Sequence, residues 1–418
     1  MKVTCPSCMA SLIYDATSGN MKCKFCDCSF KLEDVAEQEA KEEAKVKAKA
    51  EEKTKAETET KTAGKADEKS AVNTNTMQCN IYSCTECGAE LAVNGVEAAT
   101  FCAYCGQPTI VFSRVSQELK PKWLIPFSVR KDEAVETIRA RFRQGKFIPE
   151  EVKNFEVERV CGVYIPFWLY DTYYYDRQII KGTVGSGKHK RTKYFLREAD
   201  CEFTKMTLDA SSKLNDESSQ RLEPFHMDGL KHFEVAYMSG YYADRFDQNS
   251  RDLQGNAYQR TKELFNEQML ASVKASNCTI ESNNPSFTVR GAEYALFPAW
   301  FMTFRYQDKP YTMLVNGQTG KLVGAVPFVK WKVVATLISI FAIAACVFIP
   351  ICVALVTESS LDEDAVKLIF ALCAVAVLMG RTGLKKLRQI KENESLTTAA
   401  QINQFAHDRQ KQQGGIYQ

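Results

Sequence analysis

The order of apolar and polar positions divides the chain into strand-like, helical and uninterrupted apolar segments. Near the N-terminus, 11–14 and 90–93 alternate like short strands, and glycines at 19 and 95 favour hairpin turns after them. In the middle, 131–144 and 253–274 have apolar residues at helical spacing. Strand-like segments of that region are 163–175, 177–183, 194–203, 292–306, 312–315 and 322–326. This order predicts a central α+β domain with a mostly antiparallel sheet over 114–327.

Two long apolar runs follow this region. Residues 333–356 contain no charge, and 368–379 form a second, shorter run. A segment of about 20 apolar residues is long enough to cross a bilayer. Lys and Arg flank the outer ends of the two runs, whereas the connection between them is acidic. The pattern therefore predicts a transmembrane helical hairpin over 328–381, a cell-membrane localisation with both termini cytoplasmic, and the lipid bilayer as a partner.

Cysteines repeat in one frame near the N-terminus. Two Cys-x-x-Cys pairs, with fourteen residues between the inner cysteines, occur twice. Such paired turns direct four thiolates at one point, which suits a tetrahedral zinc ion. The sequence therefore predicts zinc ribbons at 1–30 and 79–113 that bind two zinc ions. The predicted metal ligands are Cys5, Cys8, Cys23 and Cys26 in the first ribbon, and Cys84, Cys87, Cys102 and Cys105 in the second.

Other interpretations of the cysteines remain. Disulfides are the main competitor, since small disulfide-rich domains also use regular spacings. A thioredoxin-type motif needs a single pair beside a strand-helix-strand unit, which the pattern lacks. Cys28 and Cys79 lie close to the frames, as stray thiols or substitute ligands. In the second ribbon glycine follows Cys87, whereas Met9 follows Cys8 in the first.

Composition adds little about partners. The 418 residues carry a net charge of +3, and 45% are hydrophobic, which allows two or three folded units and gives no argument for nucleic acid. Residues 31–78 are rich in Glu and Lys, often with opposite charges four apart, and predict a charged, partly helical linker. Residues 382–418 predict a basic, then polar, cytoplasmic tail.

Catalytic motifs are missing from the pattern. The run Gly182-Thr-Val-Gly-Ser-Gly-Lys188 has phosphate-loop spacing, but His189 stands where Ser or Thr is needed, and the next residues alternate like a strand. A glycine-rich hairpin is the favoured interpretation. With four histidines and no nucleophile elbow, the sequence predicts that the protein is not an enzyme.

Several motifs carry a family resemblance. They are the two ribbons, Ile125-Pro-Phe127, Gly162-Val-Tyr-Ile-Pro-Phe-Trp168, Leu208-Asp-Ala-Ser-Ser-Lys-Leu214, Leu222-Glu-Pro224, Tyr237-Met-Ser-Gly-Tyr-Tyr242, Pro298-Ala-Trp300 and Asn316-Gly-Gln-Thr-Gly-Lys-Leu-Val-Gly324. Together they resemble a bacterial family of transcription-factor-IIB-type zinc-ribbon membrane proteins, whose members are often labelled replication restart helicases or primosomal proteins. The resemblance implies partners of the phage-shock-protein-A-like and flotillin types, in membrane stress.

Three functions are compared. The leading hypothesis is a membrane-anchored cytoplasmic zinc-ribbon adaptor that recruits protein partners to the membrane. The alternative is a tethered nucleic-acid-binding regulator or replication-related protein. Glu86, Glu90 and Glu97, with no Lys or Arg between 79 and 111, argue against contact with a phosphate backbone. The third is an enzyme acting through the central domain.

Overall fold

The computed structural model describes most of the chain up to residue 324. The described residues are 3–35, 37, 76–93, 102–105, 110–144, 148–154, 160–212, 219, 221–307, 309–324, 327, 329, 331, 332 and 335. The predicted tail at 382–418 lies outside them, as does most of the predicted linker at 31–78.

Fifteen strands and three α-helices lie with both ends inside these residues. The strands are β1 (Leu12–Asp15), β2 (Asn20–Cys23), β3 (Ser29–Phe30), β4 (Thr76–Cys84), β5 (Glu90–Val93), β6 (Ile110–Leu119), β7 (Trp123–Leu124), β8 (Val160–Val184), β9 (Arg191–Asp209), β10 (Lys231–His232), β11 (Tyr242–Asp244), β12 (Ser276–Asn283), β13 (Ser286–Tyr306), β14 (Lys309–Asn316) and β15 (Leu322–Val323). The helices are α1 (Lys131–Gln144), α2 (Glu150–Lys153) and α3 (Gln254–Ala271).

The first ribbon is a small antiparallel sheet of β1, β2 and β3. Leu12 and Tyr14 alternate inward on β1 and are buried, as the period-2 pattern requires. Gly19, at φ 67°, permits the left-handed turn between β1 and β2. The Ser18 hydroxyl donates to Asp15 Oδ2 at 2.7 Å and braces the same turn.

The second ribbon is continuous with the central sheet. Its strands β4 and β5 pair with each other, and β5 also pairs with β11 of the middle region. Strand β6 pairs with β4 and runs across position 113, where the sequence suggested a domain boundary. Among the described residues, the larger sheet contains twelve strands and is mostly antiparallel, with parallel pairs only at β11–β8 and β13–β7.

Strands β8 and β13 form the centre of the core. Their antiparallel register places Ile165 opposite Phe297 and Tyr164 opposite Pro298. Both Trp168 and Trp300 are buried, and each indole N–H donates to a backbone carbonyl at 2.9 Å, of Gln248 and Val129 respectively. The segments Pro166–Trp168 and Pro298–Trp300 therefore run in opposite directions from the Ile165–Phe297 pair on adjacent strands, and each tryptophan joins the sheet to a loop.

Helices cover parts of this sheet. Helix α1 matches the predicted 131–144, and it buries Ile138 and Phe142 in the main core. Helix α3 is slightly shorter than the predicted 253–274, and it packs Phe265 and Met269 on Tyr174 of β8. The apolar spacing of both helices is thus explained by one buried face.

The predicted C-terminal transmembrane hairpin is wrong as part of the fold class. No helix among the described residues is long and apolar enough to cross a membrane. The longest, α3, is 18 residues long but amphipathic, because buried Phe265 and Met269 alternate with charged residues. Apart from Ala335, the predicted spans at 333–356 and 368–379 lie outside the described residues. The architecture shown is two four-cysteine clusters with a central, mostly β domain.

The localisation deduced from that hairpin is corrected with it. A cell-membrane protein with two spans and both termini in the cytoplasm requires two membrane-spanning helices, and the part of the chain that the structure describes contains none.

The glycine-rich segment after β8 is a hairpin connection, as the sequence indicated. Strands β8 and β9 are antiparallel up to the pair Val184 and Arg191, and a short 3-10 turn at Gly187–His189 joins them. Gly185 has φ 99°, and a Cβ there would lie 2.4 Å from the His189 carbonyl oxygen. The glycine is therefore required by the turn, and no helix follows that could cradle a phosphate.

Candidate metal centres

The second cysteine set forms a buried cluster. Cys84, Cys87, Cys102 and Cys105 are each between 1% and 7% exposed, and their sulfur atoms all lie within 4.8 Å of one another. The Sγ atoms of Cys84 and Cys105 are 3.6 Å apart, as are those of Cys87 and Cys102. The turn is closed by the Gly88 amide, which donates to the Cys84 carbonyl oxygen at 2.9 Å.

The first cysteine set has the same local geometry but lies closer to solvent. Cys5 and Cys23 are buried, whereas Cys8 and Cys26 are half-buried. Separations between Sγ atoms are 3.6 Å for Cys5 and Cys26, and 3.5 Å for Cys8 with either Cys23 or Cys26. The Met9 amide donates to the Cys5 carbonyl oxygen at 2.8 Å, in the way that Gly88 does in the second cluster.

These distances fit a tetrahedral metal site. With Zn–S bonds of about 2.3 Å, sulfurs at tetrahedral corners are separated by about 3.8 Å. Disulfide sulfurs are about 2.05 Å apart, so separations of 3.5 to 3.6 Å do not correspond to disulfides. The eight predicted ligands therefore form two four-cysteine clusters that can each hold one zinc ion.

The electrostatics of the buried cluster also call for a cation. The neighbouring sulfurs of Cys105 and Cys84, together with burial, raise the pKa of the Cys102 thiol well above its usual value. Thiolates crowded in a dry site repel one another, and the charge of a divalent ion offsets that repulsion. Zinc bound by thiolates would thus supply folding free energy at this site.

In the first cluster, backbone amides assist ionisation. Hydrogen bonds from the amides of Cys26 and Phe25 lower the pKa of the Cys23 thiol to about 7, although burial opposes them. A lowered pKa favours the thiolate, which is the form that binds metal. The amides of the turn therefore favour the metal-binding thiolate form of Cys23 in the absence of an ion.

The second cluster is seated in the central core through a residue that sequence reasoning missed. Tyr104, between Cys102 and Cys105, is 1% exposed, and its hydroxyl donates to Asp244 Oδ2 at 2.6 Å. Its ring contacts Phe301 edge to face at 5.4 Å. The Ser211 hydroxyl donates to the same Asp244 oxygen at 2.7 Å. The metal turn is thus tied to strands β11 and β13.

A second polar link joins the ribbon strands to the same region. The Arg245 guanidinium donates to Glu90 of β5 and lies 3.0 Å from Glu118 of β6. Arg114 also pairs with Glu90 at 2.9 Å. Two arginines therefore neutralise the charge of Glu90. The acidic residues of the ribbon sequence are for this reason a weaker argument against nucleic-acid binding than the sequence alone suggests.

The first ribbon rests on the central domain through a smaller contact. The Tyr14 amide donates to the Ser239 carbonyl oxygen at 3.0 Å, and the Tyr14 ring meets Tyr237 edge to face at 5.2 Å. Ile13 approaches Gly240 so closely that a Cβ there would be 3.2 Å from its Cγ2 atom. The two ribbons are therefore attached in different ways, one inside the core and one on its surface.

Apolar side chains are exposed at the metal turns of the first ribbon. Phe25, between Cys23 and Cys26, is 81% exposed, and Met9, directly after Cys8, is 70% exposed. Met9 has φ 61°, a left-handed backbone conformation that is strained for residues with a Cβ atom. Gly88 has φ 66° at the equivalent position and no Cβ atom. The first ribbon thus retains a strained, exposed methionine where the second has glycine.

The two additional thiols belong to neither cluster. Cys79 is buried on β4, and burial raises its pKa to about 11, so it behaves as a core thiol. Cys28 is half-buried within the first ribbon, and its carbonyl oxygen accepts from the Cys23 amide at 3.0 Å. The four sulfurs that converge in each site are those of the Cys-x-x-Cys pairs.

The chain is similar to the uncharacterized protein YdjG of Bacillus subtilis (strain 168), with 27% identity over 242 residues that cover 54% of this chain and 69% of that protein. No family model matches the sequence. No solved structure matches either. The two four-cysteine clusters are compatible with the predicted zinc ribbons, and the resemblance to transcription-factor-IIB-type proteins stays a prediction.

Proposed function

We propose that this protein is a zinc-ribbon adaptor that binds protein partners and has no catalytic role. In this proposal, the second four-cysteine cluster holds a structural zinc ion inside the core. The first cluster holds a second zinc ion and displays a docking surface. The family resemblance makes phage-shock-protein-A-like and flotillin-type proteins the first partners to test, and a role in envelope stress follows if they bind.

One observation carries the proposal. Met9 and Phe25 are exposed on the metal turns, and Met9 holds a left-handed backbone that costs about 1–3 kcal/mol for a residue other than glycine. Large apolar side chains of this kind are enriched in protein interfaces. A rigid turn that displays them suits binding better than catalysis, and zinc enclosed by four cysteines leaves no open coordination position.

Co-purification tests the adaptor role. The full-length chain is crosslinked in cells, isolated by a tag and compared with the double variant Met9→Ser/Phe25→Ser. The proposal expects specific protein partners that the variant loses. A matched control, Phe112→Ser/Val115→Ser, removes two exposed apolar side chains from β6 and should retain the partners. Recovery of no specific protein with the unaltered chain would rule the adaptor role out.

A nucleic-acid-binding regulator remains the second candidate because of one feature. Seven Lys and Arg residues, and no Asp or Glu, lie between positions 177 and 197 inclusive, at the end of the β8–β9 hairpin. Such a basic segment can bind phosphates. Salt-sensitive binding of the full-length chain to DNA or RNA would favour this candidate over the adaptor.

A further inference from the structure

The first ribbon contains a fifth cysteine beside its four-cysteine cluster. Cys28 follows Cys26 by two residues, directly before β3, and both side chains are half-buried. The Cys28 amide donates to the Cys26 sulfur, and the Cys28 thiol interacts with the same sulfur. The Cys28 carbonyl oxygen accepts from the Cys23 amide at 3.0 Å, which fixes the residue against the metal turn. Two thiols of one small sheet are therefore neighbours.

The residue between these two cysteines has a backbone conformation that brings them together. Asp27 has φ 55°, in the left-handed region. That conformation is the mirror image of a helical turn, in which Cα atoms two positions apart are separated by about 5.4 Å. Disulfides span Cα separations of about 4.4–6.8 Å. Cys26 and Cys28 can therefore be bridged without a large movement of the chain.

The other three Cys-x-x-Cys pairs have no cysteine at this position. Two residues after the pair, the sequence has Ala10, Ala89 and Gln107, respectively. The second cluster is also shielded from solvent, since its four cysteines are only 1% to 7% exposed. The additional thiol and the accessible metal ligand Cys26 are thus found at the same site, in the first ribbon.

Packing alone does not account for Cys28. A cysteine that serves as a small apolar residue is usually buried, as Cys79 is on β4. Reversible oxidation favours a thiol that solvent can reach and that lies next to a second, resolving cysteine. Cys28 meets both conditions, because it is half-buried and Cys26 is its neighbour.

We infer that Cys26 and Cys28 form a reversible redox pair, in which oxidation joins them as a disulfide and withdraws Cys26 from the first metal site. A sulfur in a disulfide is no longer a thiolate, so the first cluster keeps three of its four ligands and holds zinc more weakly. The inference goes beyond the adaptor role and does not depend on it, since it concerns the chemistry of the site itself.

The oxidation requires a two-electron oxidant, for which hydrogen peroxide is the simplest. Peroxide oxidises the Cys28 thiol to a sulfenic acid, its O–O bond breaks, and one water is released. The Cys26 thiolate then attacks the sulfenic sulfur, and an S–S bond forms as the S–O bond breaks. The departing hydroxide takes up a proton and leaves as a second water. Two thiols of a reductant such as glutathione reverse the step and become a disulfide themselves.

Peptide mass tests the inference directly. Trypsin cleaves after Lys24 and Lys31, so residues 25–31 form one peptide that contains Cys26, Cys28 and no further cysteine. The full-length, zinc-loaded chain is treated with hydrogen peroxide, its remaining thiols are blocked by alkylation under denaturing conditions, and it is digested. A colorimetric chelator measures the zinc released before denaturation.

The expected product is peptide 25–31 without alkyl groups and lighter by two hydrogen atoms, together with release of one zinc ion per chain. Cys28→Ala introduces the residue found at Ala10, and it should slow zinc release by about tenfold or more, because the thiol that reacts first is gone. The matched control Cys201→Ala removes a half-buried thiol from β9 and should react like the unaltered chain. A zinc content of two ions before oxidation confirms that each variant folds.

Either of two outcomes overturns the inference. In the first, Cys28→Ala and the unaltered chain release zinc at the same rate. In the second, zinc is released while peptide 25–31 carries two alkyl groups or the added oxygens of a sulfinic acid, and no internal disulfide. Neither readout involves a partner protein, so failure of the adaptor role in crosslinked cells and failure of the redox pair are distinguished.

Discussion

At the scale of the residue, Met9 and Gly88 occupy equivalent positions after the second cysteine of a metal turn. Both amides close the turn onto the carbonyl of the first cysteine, and both backbones are left-handed. Glycine adopts this conformation without strain, and methionine does not. The geometry of the turn therefore does not by itself account for a methionine at position 9.

Met9→Gly should strengthen the first zinc site while weakening partner binding. At the low end of the strain range, about 1 kcal/mol, its relief corresponds to about fivefold tighter zinc retention. Chelator competition on the full-length chain measures this. The reverse substitution, Gly88→Met, should destabilise the second site by about 1–3 kcal/mol. Unchanged zinc retention in Met9→Gly, or in Gly88→Met, would show that the left-handed backbone costs nothing at that position.

One carboxylate, that of Glu234, is expected to make stability depend on pH in the region that the first ribbon contacts. Glu234 precedes the 3-10 turn that the ribbon contacts, and its Oε2 atom is buried with no hydrogen-bond partner among the described residues. Burial, with the nearby charge of Glu33, raises the pKa of Glu234 above its ordinary 4.5. Because the pKa of Glu234 is raised in the folded state, its contribution to the free energy of unfolding is fully present below pH 4.5, the ordinary pKa of a glutamate. That contribution is lost as the pH rises through the pKa of the folded state.

Glu234→Gln should therefore stabilise the protein at pH 8, and the gain should shrink as pH falls towards 5. Thermal unfolding across this range is the measurement. Glu293→Gln provides a control of opposite sign, because the hydrogen bond from Lys122 lowers the pKa of Glu293. That variant should lose stability at pH 8. A gain from Glu234→Gln that stays constant with pH would exclude the electrostatic explanation.

At the scale of the element, Tyr104 connects the second metal turn to β11. Its buried hydroxyl donates to Asp244, and Thr303 on β13 donates to the carbonyl oxygen of Ala103 in the same turn. A turn held by two core strands cannot move without disturbing the sheet. A metal ion bound by this turn would therefore be linked to the folding of the central domain.

Tyr104→Phe should destabilise the protein by about 1–3 kcal/mol, because a buried carboxylate oxygen loses a donor. Chemical denaturation of the zinc-loaded chain measures the loss. Tyr194→Phe removes a hydroxyl from a ring that is 63% exposed and should change stability by less than about 0.5 kcal/mol. Similar losses in the free energy of unfolding for both variants would mean that the hydrogen bond from Tyr104 to Asp244 does not stabilise the protein.

Local patterns determined which parts of these elements could be predicted. Spacing alone identified the eight cysteines, and the period of apolar residues gave α1 its observed bounds. The contact of Tyr104 with Asp244 joins residues 140 positions apart, and no local pattern signals it. Two predicted strands at 163–175 and 177–183 are one strand, β8, because Asp176 is accommodated within the sheet by hydrogen bonds from Gln178 and the Asn284 amide.

At the scale of the whole molecule, the two ribbons differ in attachment. Cysteines of the second cluster share a core with Ile165 and Phe301 of the central strands. Cysteines of the first share a separate small core, to which the central domain contributes Ala236 and the half-buried rings of Tyr237 and Tyr241. The repeated cysteine frame suggested two equivalent modules. Tertiary packing instead places the second cluster in the central core and the first cluster in a small core of its own at the surface.

Hydrogen exchange after selective loss of each site tests this central claim most directly. Zinc content should be two ions per chain, falling to one in Cys8→Ser/Cys26→Ser and in Cys84→Ser/Cys87→Ser. Loss of the second site should expose the amides of β8 and β13 to rapid exchange, whereas loss of the first should leave them protected. Protection of β8 and β13 that survives removal of the second site, or is lost on removal of the first, would contradict the account.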